Sequence, residues 1–116
     1  MLKLFFKYWL PVLLYAILIF SISSIPGPEL PQNLILSDYL LHILEYLPFG
    51  FLMFRAIRNT RSNFTLRKIF ISSAILVILY AASDELHQLF IPGRYASLLD
   101  LLCDGIGAAI GARIAI

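Results

Sequence analysis

The chain has one cysteine, Cys103, in 116 residues, so no internal disulfide can form and no paired-cysteine zinc site exists. Basic residues exceed acidic ones by only two, too little for a basic field that would hold nucleic acid. Charge is scarce, at 14% of residues against about 25% in a soluble domain. Apolar residues take its place, at 60% against the usual ~45–50%. Mean hydropathy is +0.87. The length suits one soluble domain or a small helical membrane bundle, and the apolar runs select the bundle.

A membrane span needs about 20 mostly apolar residues. Four stretches qualify: Trp9 to Ile25, Tyr39 to Phe54, Ile69 to Leu89, and Leu98 to Ile116. The expectation is an all-α, polytopic four-span bundle forming a single domain over 1–116. The first stretch could instead be a cleaved signal peptide, with Lys3 and Lys7 as its basic region. Its apolar core is longer than such peptides use.

Eight of the nine basic residues lie in three places. Lys3 and Lys7 precede span one, Arg55, Arg58, Arg61, Arg67 and Lys68 bracket the turn between spans two and three, and Arg113 is near the C-terminus. The excess of cations on the cytoplasmic side of membrane proteins then puts both termini inside. The loops 26–37 and 90–97 face outward. Six of the seven carboxylates (Asp38, Glu45, Asp84, Glu85, Asp100, Asp104) fall in or at the ends of spans, on the outer side in this topology. Charge at bilayer depth is costly and marks a polar cavity, an ion pair or a functional site.

Helical phase gathers these groups. Asp38, His42, Glu45 and Phe49 share a face of span two; Ser73, Tyr80, Asp84 and Gln88 share one of span three; Asp100, Asp104, Gly107 and Gly111 share one of span four. Such polar faces should converge away from lipid. Gly107-x-x-x-Gly111 is a spacing for close helix packing. Pro48 should free the carbonyl of Leu44 and favour a kink.

Three signatures carry a family resemblance. Asp38-x-x-x-His42-x-x-x-Tyr46-x-x-x-Gly50 resembles the first signature of the VanZ-like membrane protein family. Ser83-Asp84-Glu85-x-x-Gln88-x-Phe90-x-Pro92-Gly93-Arg94 resembles the second, and Ser97-x-x-Asp100-x-x-x-Asp104-x-x-Gly107-x-x-x-Gly111 the third. The family usually has Lys or Arg where this chain has Tyr39, and Asn where it has Asp104; the latter adds a carboxyl. The resemblance implies a multi-pass protein of the bacterial cytoplasmic membrane, linked to low-level resistance to teicoplanin, a lipoglycopeptide. It implies no mechanism.

The residues themselves leave several chemistries open. His42 with Asp38, Glu45, Asp84, Glu85 and Asp100 is a candidate acid–base set, because a histidine oriented by a carboxylate is the usual proton-transfer pair. Arg94, Gln88, Tyr46 and Asp104 are candidates for binding substrate. No metal ligand is assigned: His plus carboxylates suit a divalent cation, but no stereotyped ligand motif is present. The bland reading is an internal ion-pair network, with Arg94 folded back over the acids after Pro92-Gly93. One arginine cannot neutralise six carboxylates. An enzyme acting at the outer leaflet on a lipid-linked envelope precursor competes with a non-enzymatic protein binding a headgroup or a lipoglycopeptide. No serine or cysteine nucleophile is well placed. Transport is the weaker third reading, since four spans give little room for alternating access without oligomerisation.

Overall fold

In the computed structural model the described residues are 1–29 and 38–116. Segment 30–37, with Pro31 of the expected outer loop, lies outside them. The described chain is all-helical, with four long helices and no strand. Helix α1 is Leu2–Ser23, α2 is Asp38–Thr60, α3 is Leu66–Gln88 and α4 is Leu98–Ala115. The first three are long and apolar enough to cross a membrane. Helix α4 has 18 residues and carries Asp100, Asp104 and Arg113.

The helices run longer than hydropathy alone predicts. Helix α1 begins at Leu2 rather than Trp9, with a π turn over Phe5–Trp9 ahead of Pro11. Helix α2 continues six residues past Phe54, through Arg55 and Arg58 to Thr60. Arginine is a good helix former, and its long stem can carry the charge out to the interface. Thr65 starts α3 as an N-cap, its hydroxyl accepting the Lys68 N–H at 3.2 Å. Helix α2 runs on through Pro48.

Helices α2 and α4 form the tightest seam of the bundle. A Cβ built on Gly107 would lie 2.2 Å from the Ile43 carbonyl oxygen, and one on Gly111 would lie 1.8 Å from that of Leu47. Only hydrogen fits there, so the two backbones touch. The core beside this seam is aromatic. Phe49 is buried among Tyr15, Tyr46 and Tyr80, with ring centres 5.8, 6.0 and 5.1 Å away.

Helix α1 lies on the outside of this core, burying only Val12, Ile19 and Ser23. Leu13, Leu14, Ile17 and Leu18 remain exposed, as a lipid-facing surface requires. Polar contacts tie it down along its length. Trp9 Nε1 donates to Thr60 Oγ1 at 3.3 Å, the Tyr15 hydroxyl to the Glu45 carbonyl, and the Tyr80 hydroxyl to the Ala16 carbonyl.

Two turns clasp at the far end. Gly27 N–H donates to the Pro92 carbonyl at 2.8 Å, and Gly93, at φ +73°, packs against Pro28. Arg94 does fold back, but onto backbone: Nη1 donates to the carbonyls of Ile22 and Ile25, at 3.3 and 3.0 Å. Ile22 lies in the last turn of α1 and Ile25 just past it, where a cation also complements the helix dipole.

Candidate functional site

The polar cluster sits where the N-terminal ends of α2 and α4 meet the C-terminal end of α3, opposite the arginine-bearing turn at 61–65. The glycine seam places it. Because Gly107 lets α4 lie on Ile43, His42, the neighbour of Ile43 on α2, and Asp104, about a turn before Gly107 on α4, are brought face to face. His42 Nδ1 lies 2.8 Å from Asp104 Oδ1. Asp104 is fully buried, and its other oxygen, Oδ2, has no hydrogen-bond partner. His42 Nε2 points the other way, 3.7 Å from Asp100 Oδ2.

Helix α3 contributes a second pair of acids. Asp84 accepts the Tyr46 hydroxyl on Oδ2 at 3.1 Å, while its Oδ1 has no partner. Glu85 is 6% exposed; Oε2 accepts the Ser97 N–H at 3.2 Å and Oε1 has no partner. Ser97 serves twice, since its hydroxyl also accepts the Asp100 N–H at 3.0 Å as the N-cap of α4. One residue therefore sets Glu85 and Asp100 relative to each other. Among the described residues the ion pairs are those of His42 with Asp100 and Asp104, and no lysine or arginine pairs with a carboxylate.

Glu45 is half-buried within electrostatic reach of His42, Asp84 and Asp104. Gln88 is buried at the end of α3. Asp38 is exposed at the start of α2 and forms no hydrogen bond or ion pair with the cluster. Tyr46 is fully buried and reaches only Asp84. Arg94 is held by carbonyls, as described. The cluster proper is therefore His42, Asp84, Glu85, Asp100 and Asp104, with Glu45 beside it.

Two of the residues that organise this end have only slight readings in the sequence, Ser97 as the first residue of the third signature and His87 as an interfacial polar residue at a helix end. Ser97 was legible in principle, because Ser-x-x-Asp before an apolar run is an N-cap pattern. His87 was not: its Nε2 lies 2.9 Å from Ser24 Oγ and its ring stacks on Phe20 at 4.4 Å, contacts across 63 and 67 positions of sequence that no local pattern announces.

An apolar groove opens beside the cluster. Its wider part, about 430 Å³, is lined by Ile78, Leu101, Leu102, Gly105, Ile106 and Ala109 between α3 and α4. A second part of about 380 Å³ continues past Leu98 and Leu101 to Ala82, Ser97 and Glu85. The groove thus runs from lipid-facing side chains to a buried carboxylate.

These features define a small helical membrane protein with a buried histidine–carboxylate cluster at one end. The chain belongs to the VanZ/LLP1 family, whose model matches residues 5–116. No curated protein and no solved structure matches it.

Proposed function

We propose that this chain spans the bacterial cytoplasmic membrane four times, with both termini inside. In this reading the His42 cluster opens outward and acts on a lipid-linked molecule of the cell envelope. The observation that carries it is the continuity of the apolar groove with the polar cluster at Glu85. A prenyl or acyl chain would lie against Leu101, Gly105 and Ile106, with its polar head beside Glu85, Asp100 and His42. His42, oriented by Asp104, would be the proton-transfer group, and the nucleophile would be water. Glu45, Asp84 and Gln88 would complete the polar wall. Resistance to teicoplanin follows as the phenotype, since that drug acts on the envelope and carries a lipid tail.

The topology has a direct test. In a Cys103→Ala background, Tyr95→Cys should react with an impermeant thiol reagent on intact cells. Asn63→Cys, in the turn between α2 and α3, should react only after lysis. Both positions are exposed. The reverse labelling pattern would sink the orientation.

The site has another. Expression in a teicoplanin-susceptible bacterium should raise the inhibitory concentration. His42→Ala, which also leaves buried Asp104 without its partner and is therefore read against its membrane-fraction level, should return it to the vector value, and so should Gly105→Phe, which fills the groove without touching the cluster. Susceptibility that ignores both variants would refute the substrate reading. Loss of function in His42→Ala alone would leave a polar site without a lipid chain.

A further inference from the structure

We propose that His42, Glu85 and Asp100 bind one divalent transition-metal ion of the Mn²⁺–Zn²⁺ kind, with Asp104 as the positioning residue for His42. One ligand atom from each of the three lies within 4.8 Å of the other two. The 3.7 Å between His42 Nε2 and Asp100 Oδ2 is too long for a hydrogen bond. It does match two ligands on one ion, because bonds of about 2.0–2.2 Å put neighbouring ligands between 3 and 4 Å apart.

The protonation pattern agrees. With Asp104 ionised, Nδ1–H donates to it, and loss of the second ring proton when an ion binds would turn the Nε2 lone pair toward Asp100 and Glu85. A carboxylate behind a histidine, fixing its tautomer and ring plane, is the usual outer shell of a metal-bound imidazole. Glu85 offers the second independent sign: Oε1 is buried in the cluster with no partner, while Oε2 is already used by Ser97. Ser97 also caps Asp100, so two of the three ligands are positioned by one residue on a helix end rather than on a free loop.

Charge points the same way. The three ligands alone, a neutral imidazole and two carboxylates, sum to −2, which one dication cancels; Asp104 stands behind the histidine as a further acid. Among the described residues no lysine or arginine pairs with these carboxylates, and Arg94 donates to carbonyls instead. The imidazole favours Zn²⁺ and its neighbours, while the two carboxylates also suit Mn²⁺. Three protein ligands leave a position open, as catalytic sites do, and here the adjoining space is the end of the groove at Glu85 and Ser97. The inference rests on reading this cluster as a site, and the ion would offer the polar head of a lipid-linked molecule an oxygen-binding position.

The test uses the full chain, purified in detergent and stripped with a chelator. Mn²⁺ titration followed by electron paramagnetic resonance should show one bound ion per chain, displaced by one equivalent of Zn²⁺. The bound Mn²⁺ should couple to one imidazole nitrogen, and that coupling should survive His87→Ala, which removes the other histidine. Asp100→Asn and Glu85→Gln should each weaken binding at least tenfold. Asp100 is the milder change because it is partly exposed, so it carries the test if Glu85→Gln lowers the melting temperature. A folded wild-type chain without stoichiometric Mn²⁺ or Zn²⁺ binding overturns the proposal, as does binding indifferent to Asp100→Asn. Metal bound as described with unchanged teicoplanin susceptibility would instead remove the lipid-linked substrate and leave the ion site standing.

Discussion

Gly111→Val should eliminate the folded protein rather than weaken it. A Cβ at 111 would sit 1.8 Å from the Leu47 carbonyl oxygen and 2.9 Å from the Phe51 nitrogen. Both are backbone atoms of α2, so no side chain can turn aside. The helices must separate, and Gly107 on Ile43 and Gly50 on Ala108 lose their contacts with it. Overpacking a core costs about 1–3 kcal/mol where side chains can yield, and more where they cannot. Against a total stability of about 5–15 kcal/mol, separating a whole seam is decisive. The expected result is a collapse of the membrane-fraction level and no cooperative melting in detergent. Gly105→Ala is the contrast. Its new methyl group meets only the Ile78 side chain, at 3.6 and 3.7 Å, so melting should match wild type. A Gly111→Val chain that accumulates and melts normally would mean that α2 and α4 do not touch along this line.

Asp104→Ala should cost both stability and site function, whereas Asp104→Asn should preserve most of both. Asp104 is the hydrogen-bond partner that holds His42 Nδ1, and it is fully buried. Alanine leaves that ring nitrogen without a partner beside a small void, at a cost of about 1–3 kcal/mol. It also frees the ring to rotate, and loss of such an orienting carboxylate typically lowers metal affinity or activity about 10–100-fold. Asparagine keeps a carbonyl oxygen to accept the same proton. It is also the residue that VanZ-like chains usually carry at this place in the signature. Melting temperature and teicoplanin susceptibility, measured on both variants, separate the cases. Equal losses in Asn and Ala would show that the negative charge, not the hydrogen bond, is what matters.

Much of this arrangement was legible from residue spacing. The stripe Asp100, Asp104, Gly107, Gly111 does face the bundle, because four-residue steps keep one helix face and that face holds the groups lipid rejects. The same logic recovered Ser73, Asp84 and Gln88 as one buried face of α3. Arg94 was the instructive exception. Its charge suggested a carboxylate partner, yet its guanidinium donates to carbonyls at the end of α1, and a helix end wants donors as much as an acid does. The sequence sets Asp38 in the candidate acid–base set and Asp104 among the candidates for binding substrate. In the fold Asp104 is buried against His42 and Asp38 is exposed, a difference set by which helices adjoin, which spacing along one helix cannot tell. The pairing of Ser24 with His87 was illegible for the same reason.

The fastening of α1 bears on how the chain is made. Its partners Tyr80, His87 and Arg94 lie 64, 63 and 69 positions later than the α1 atoms they hold. During synthesis α1 therefore enters the bilayer well before those partners exist. It must persist there as a solitary helix, sustained by a surface with no charged residue between Lys7 and Glu29. Its first holds, at Glu45 and Thr60, come with α2, and the α2–α4 seam, which needs Gly107 and Gly111, closes only when the end of the chain is made.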